Sequence, residues 1–217
     1  MTVADQNDIS GKTTGWRGSR QLWLDAARDA FVDAGLDAVK IQPLANRLGL
    51  SRTSFYWFFK DRDALLDALL DDWETANTGS LVAATDAYAE TITEAVLNLI
   101  GVFLEDGPFE PRFDLAVRGW AHRSEPVATR VHLADETRLD AIRRMFGRFD
   151  YDPGEADVRA RTVYLVQIGY ISMQVREDIG TRMARIPDYV KTFTGQLPSD
   201  RALTRFHARH GFVPQGC

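Results

Sequence analysis

Apolar residues recur every three or four positions through most of the chain, and short polar or Gly/Pro breaks cut that pattern into helical segments. A first helix is predicted over residues 16–34, with Trp23, Leu24, Ala27, Phe31 and Ala34 on one face and Gly35 closing it. Residues 41–60 follow as a helix, a tight turn and a second helix. Asp61-Arg62-Asp63 opens a further helix, where acidic residues favour the N-terminal end of the dipole. Leu65, Leu66, Leu69, Leu70 and Trp73 carry its apolar stripe to about residue 76. Asn77-Thr78-Gly79-Ser80 reads as a boundary. Beyond it the spacing predicts helices over 83–104, 113–121, 126–149, 155–177, 181–196 and 199–210. The breaks fall at Glu105-Asp106-Gly107-Pro108 and at Asp150-Tyr151-Asp152-Pro153-Gly154. The expected fold class is therefore all-α.

The stretch 41–60 organises the rest. Leu44, Ala45 and Leu48 give its first helix a buried face, and Pro43 sits in the first turn, where its missing N–H costs nothing. Gly49 suits the left-handed backbone that ends a helix sharply; Leu50 packs the corner and Ser51 caps the second helix. Phe55 and Phe59, four apart, point inward together. Arg52, Thr53, Ser54, Tyr56, Trp57 and Lys60 are left on the other faces. A helix-turn-helix lays the start of its second helix at base edges in the major groove of DNA. Arg52 can fork onto guanine and Thr53 or Ser54 can donate or accept, while Tyr56 and Lys60 suit phosphate oxygens. The competing interpretation is a helical hairpin whose polar face meets only water. Bulky Tyr56 and Trp57 on that face speak against it.

Ala26-Ala27, Phe31, Gly35, Leu44-Ala45, Leu48-Gly49-Leu50-Ser51 and Phe55-Tyr56-Trp57-Phe58-Phe59-Lys60 resemble the N-terminal domain of TetR-family transcriptional regulators. The resemblance covers about residues 20–70. It implies an all-helical homodimer with a three-helix DNA-binding domain at residues 15–62, a linking helix at 63–76 and a C-terminal helical ligand-binding and dimerisation domain at 80–211. It carries the family's DNA contacts to Gln42, Arg52, Thr53, Ser54, Tyr56, Trp57 and Lys60. The implied partners are a pseudo-palindromic double-stranded operator, a second copy of the chain, and an unidentified small-molecule effector that releases a repressor. Two departures stand out. Lys40 replaces the Thr or Ser that commonly caps the family's second helix, and Arg52-Thr53-Ser54 replaces a frequent Lys-Gly-Thr-like run, so the base sequence read is expected to be its own.

A net charge of −5 over 217 residues looks wrong for a nucleic-acid binder. The distribution changes the picture: from Lys40 to Arg62 there are five cations against one anion, Asp61. The local footprint governs binding more than the total does. Residues 1–14 read as a loose polar tail, with Lys12, Arg17 and Arg20 at its end either solvated or touching phosphates. The single cysteine, Cys217, allows no internal disulfide, and no stretch of 18 apolar residues occurs; a cytoplasmic protein with no membrane contact is expected.

No catalytic or metal-binding constellation emerges. His207 and His210 are three apart, but no Cys or carboxylate completes a metal site, and a solvated helix end is expected there. There is no G-x-S-x-G, phosphate-binding glycine loop or H-E-x-x-H. Neither a cofactor nor an enzymatic activity is expected. Phe103, Phe113, Trp120, Phe146 and Tyr164 are candidate pocket rings, with plain core as the alternative. Residues 155–177 are apolar nearly all round, so both faces must be covered. The second cover is either a partner subunit, at Val163, Val166, Tyr170 and Ile171, or the chain's own core. The rivals to a ligand-released repressor are a small-molecule binding protein that keeps the helix-turn-helix as scaffold, and an activator.

Overall fold

In a computed structural model the chain is described over residues 18–104 and 107–213, and among these every regular element is a helix. The tail with Lys12 and Arg17, and Cys217, lie outside the described residues. Eleven α-helices are described: α1 (Arg20–Ala34), α2 (Ile41–Leu48), α3 (Arg52–Phe55), α4 (Arg62–Trp73), α5 (Gly79–Asp86), α6 (Ile92–Val102), α7 (Pro111–Ala121), α8 (Glu125–Gly147), α9 (Pro153–Ser172), α10 (Ile179–Thr194) and α11 (Asp200–Arg209). No described helix is long and apolar enough to cross a membrane.

Three helices make the N-terminal unit, and their ends are fixed locally. Ser19 caps α1 by accepting from the Leu22 N–H at 3.1 Å. Gly49 takes the left-handed conformation after α2, at φ 64°. Ser51 accepts from the Ser54 N–H at 3.2 Å, and Asp61 from the Ala64 N–H at 2.9 Å. Lys40 makes no side-chain cap for α2. Trp23 meets Phe55 edge-on at 5.3 Å and Phe55 stacks on Phe59 at 5.4 Å, so the two inward rings of the second motif helix are clamped onto α1. This core does not close by itself. Phe113 and Val117 of α7 and Val127 and Val131 of α8 pack into it, with Phe31 meeting Phe113 at 6.2 Å and Trp120 at 5.7 Å.

The boundary expected at residues 77–80 is not a break. Helix α4 widens into a π turn over Glu74–Thr78 and continues as α5, with Gly79 in ordinary helical geometry. Distant partners outweigh the local turn chemistry. Buried Asn77 donates to the Glu110 carbonyl and accepts from the Glu110 N–H, both at 3.1 Å. Thr78 accepts from Arg138 Nε at 2.9 Å. Conversely, the helix expected over 83–104 is two: α5 stops at Asp86, Ala87 is extended, and Thr91 caps α6 by accepting from the Glu94 N–H. Helix α9 ends at Ser172, short of the expected residue 177, and Gln174 takes φ 50° in the turn that follows.

A buried charge network fastens the long α4–α5 helix to the rest. Asp114 is fully buried and accepts from Trp73 Nε1 (2.9 Å) and Arg138 Nη1 (3.0 Å) on one oxygen, and from Arg118 Nε (2.7 Å) on the other. Arg118 also forks onto Asp135 at 2.6 and 3.0 Å, and the Tyr164 hydroxyl donates to Asp135 at 2.5 Å. Two arginines balance two aspartates, as burial of charge demands. Burial pushes the Asp114 carboxyl up, but Arg138, Arg118 and the Trp73 hydrogen bond together hold it below its ordinary value. Burial also raises the Tyr164 phenol, with Asp135 adding to the shift and the two arginines opposing it.

Candidate nucleic-acid interface

Helix α2, the Gly49 turn and α3 present one continuous polar face. Helix α3 is a single turn, extended by tight turns in which Phe58 and Phe59 N–H groups donate to the Phe55 carbonyl at 2.9 and 3.1 Å. Burial of Phe55 and Phe59 leaves Gln42, Arg52, Thr53, Tyr56, Trp57 and Lys60 outward, with Tyr56 47% and Trp57 63% exposed. Arg52 donates to the Tyr56 hydroxyl at 3.2 Å and lies near its ring face, so one turn holds the guanidinium forward. Gln42 donates to Asn46 at 2.8 Å; exposed Asn46, one turn on, joins the face and was legible only as an i,i+4 pair.

Ser54 departs from expectation. It is 5% exposed and its hydroxyl donates to the Ser51 carbonyl at 2.6 Å, so the first turn of α3 consumes it and it is not on the outward face. The charge footprint is also leaner than the sequence count. Arg62 turns inward and donates to the carbonyls of Val39 (2.6 Å) and Leu36 (2.9 Å), locking the turn before α2. Arg47 pairs with Asp29 at 2.9 Å, and Asp61 is spent as a cap. Lys40, Arg52 and Lys60 are exposed and have no carboxylate partner among the described residues. Arg20 at the end of the tail lies over the Phe59 ring at 5.0 Å.

The other candidate sets do not come together. Phe113 and Trp120 belong to the N-terminal core, Phe146 to the second core and Tyr164 to the charge network, so four of the five expected pocket rings are packing groups. Phe103 lines a groove between α1, α7, α9 and the start of α10, and Trp120 lines a smaller, separate one between α4 and the start of α8. Val163 and Ile171, expected at a subunit interface, are buried in the chain's own core, while Val166 and Tyr170 are half-buried. Helix α9 packs its Val163 side on α8 and α10; its exposed apolar groups are Val158 and Leu165. Among the described residues no group of three His, Cys, Asp or Glu could hold a metal. His207 is not a solvated end but rests against Phe212 at 5.1 Å, and burial lowers its imidazole below the ordinary value.

Residues 24–69 match the model of the tetR family of bacterial regulatory proteins. The class C tetracycline repressor of Escherichia coli is 36% identical over 58 residues, a match covering 27% of this chain and 26% of that repressor. The chain thus spans about a quarter of the length of this curated relative. An HTH-type transcriptional repressor of Mycobacterium tuberculosis is 26% identical over 186 residues, covering 79% of this chain and 90% of the relative. Among solved structures, AmtR of Mycobacterium smegmatis superposes with a TM-score of 0.59 at 18% identity, over 94% of this chain and 99% of that one. A TerR/AcrR-family regulator of Aquifex aeolicus gives 0.59 at 14% identity, over 82% and 96%. Residues 24–69 are thus similar to the tetR family of bacterial regulatory proteins, and the chain as a whole shares the helical fold of the solved regulators.

Proposed function

We propose that the chain is a sequence-specific DNA-binding transcriptional regulator, acting as a homodimeric repressor that a small molecule releases. The observation that carries this reading is the outward set Gln42, Arg52, Thr53, Tyr56, Trp57 and Lys60, held on a rigid scaffold of buried rings. Large aromatics and unpaired cations on one exposed face make poor solvent surface and a good DNA surface. Two copies would place two such faces on the half-sites of a pseudo-palindrome. The exposed Val158 and Leu165 of α9, and Leu133 of α8, offer apolar surface for the second copy. Release follows if a small molecule binds better to the state whose two reading faces are mis-spaced. A coupling of about 1–3 kcal/mol changes DNA affinity roughly 5- to 150-fold.

The test is titration of duplex DNA with purified protein, read by fluorescence anisotropy at several salt concentrations. Affinity should fall linearly on a log–log plot against salt. Lys60→Ala should reduce that slope by about one; an unchanged slope removes Lys60 from the phosphate contacts. Arg52→Ala should cost about 1–3 kcal/mol on the cognate site and little on random duplex. Equal losses on both would give Arg52 a phosphate role, and no duplex binding by the wild-type chain would contradict the reading.

A further inference from the structure

The groove to which Phe103 belongs touches both units and encloses about 450 Å³, within the size range of small-molecule sites. Its walls are apolar: Val32 of α1, Phe103, Leu115 and Ala116 of α7, and Ile171 and Val175 around the end of α9. Its charged groups are of one sign. Arg112, Arg176 and Arg182 line it, and among the described residues no acidic one does.

Two of those cations are not spent within the chain. Arg176 and Arg182 have no hydrogen-bond or ion-pair partner among the described residues. Arg182 is half-buried and stacks on the Tyr170 ring at 5.1 Å, while the neighbouring carboxylate, Glu177, is held by Arg185. Burial pulls the Arg182 guanidinium below its ordinary value, against the opposing influence of Tyr170 and Glu177. A second, independent observation is Gln167. It is only 6% exposed and lines the groove, yet its amide has no hydrogen-bond partner among the described residues. Nor is that amide sealed in, as the orphaned Nη2 of Arg138 is. The amide is thus open to the groove and free to bond an occupant with a polar head.

We propose that this groove binds an organic anion with an apolar body, its acidic head on Arg182, Arg176 and Gln167 and its body against Phe103, Leu115 and Ile171. The occupant is a carboxylate or an acid of like geometry, because guanidinium groups match planar oxyanions. The site straddles the seam between the two units: Val32 belongs to α1, and Arg112 of α7 pairs with Asp33 of α1 at 2.8 Å. An anion near Arg112 competes with Asp33 for it, so occupancy is sensed by α1, the helix on which the DNA-reading motif packs. This effector role rests on the proposed DNA-binding function; the binding site itself does not.

The experiment is calorimetric titration of the full chain, without DNA, with octanoate, decanoate and naphthoate and with their primary amides. At least one acid should bind about tenfold or more tightly than its amide, a difference of about 1.4 kcal/mol. Arg182→Gln should bring acid and amide to within about twofold. Gln167→Leu should weaken both members of the pair and keep the acid preference, which a merely structural defect would not do. Arg176→Gln, an exposed change that leaves packing intact, should reduce the preference in part. No binding by any acid, equal binding of acid and amide, or a preference that survives Arg182→Gln overturns the site. A second arm repeats the titration of duplex DNA with the groove filled by the tightest acid. Unchanged DNA affinity overturns the effector role, whereas absence of DNA binding by the free chain strikes the proposed function and leaves the site standing.

Discussion

Asp114→Ala is expected to destabilise the chain by about 3–5 kcal/mol, the range for removing one partner of a buried ion pair. The carboxylate is fully buried and accepts from Trp73, Arg118 and Arg138 at 2.7–3.0 Å. Without it, Arg118 keeps Asp135, but Arg138 is left as a buried cation with only the Thr78 and Tyr164 oxygens for company. The double variant Asp114→Leu with Arg138→Met removes both charges and should recover most of the loss, because apolar groups of similar volume replace such pairs at little cost. The pH dependence has a definite sign. The folded Asp114 titrates below its ordinary value, so its stabilisation is present above an unfolded pKa of about 3.9 and is lost as pH falls through the lower folded value. Urea unfolding at neutral and acidic pH checks all of this. A cost under about 1 kcal/mol, the size found for solvated pairs, would mean the network is not dry.

Phe31→Ala comes next, with an expected cost of about 3–5 kcal/mol for truncating a buried Phe. The ring sits at the seam, edge-on to Phe113 and Trp120, and is nearly inaccessible. The N-terminal core is finished by α7 and α8, so the cavity weakens the attachment of the helix-turn-helix unit as well as its own packing. DNA affinity should therefore fall together with the unfolding midpoint, although Phe31 is remote from the reading face. Unfolding followed by circular dichroism and by tryptophan fluorescence gives the cost. A loss near zero would show that α1 does not depend on α7 for its burial.

The helix-turn-helix was legible because its signals are local. Gly49 ends α2, Ser51 and Asp61 cap the following helices, and Phe55 and Phe59 share a face, all within twenty residues. Ser54 was misplaced on that face because its hydroxyl bonds back to Ser51, an option every serine near a helix start possesses. The break read at 77–80 failed for the opposite reason. Asn77 and Thr78 stay helical on account of Glu110 and Arg138, 33 and 60 residues away, which no local turn rule can register. The true break before α6 did carry a local mark, Thr91 three residues ahead of Glu94, but it lies within a stretch whose apolar spacing stays helical. Pocket rings could not be told from core rings, since Phe113 and Phe146 owe their roles to which helices meet there. The groove escaped too, because Gln167 and Arg182 belong to helices that meet only in the folded chain.

The claim that the face from Gln42 to Lys60 reads DNA is tested most directly by selecting fragmented genomic DNA from the source organism with the purified chain. The bound pool is sequenced after washing at near-physiological salt. Enrichment of one motif with two-fold symmetry, its half-sites about one helical turn apart, is the predicted result. A bound pool no different from the input, from protein that remains folded, would contradict it.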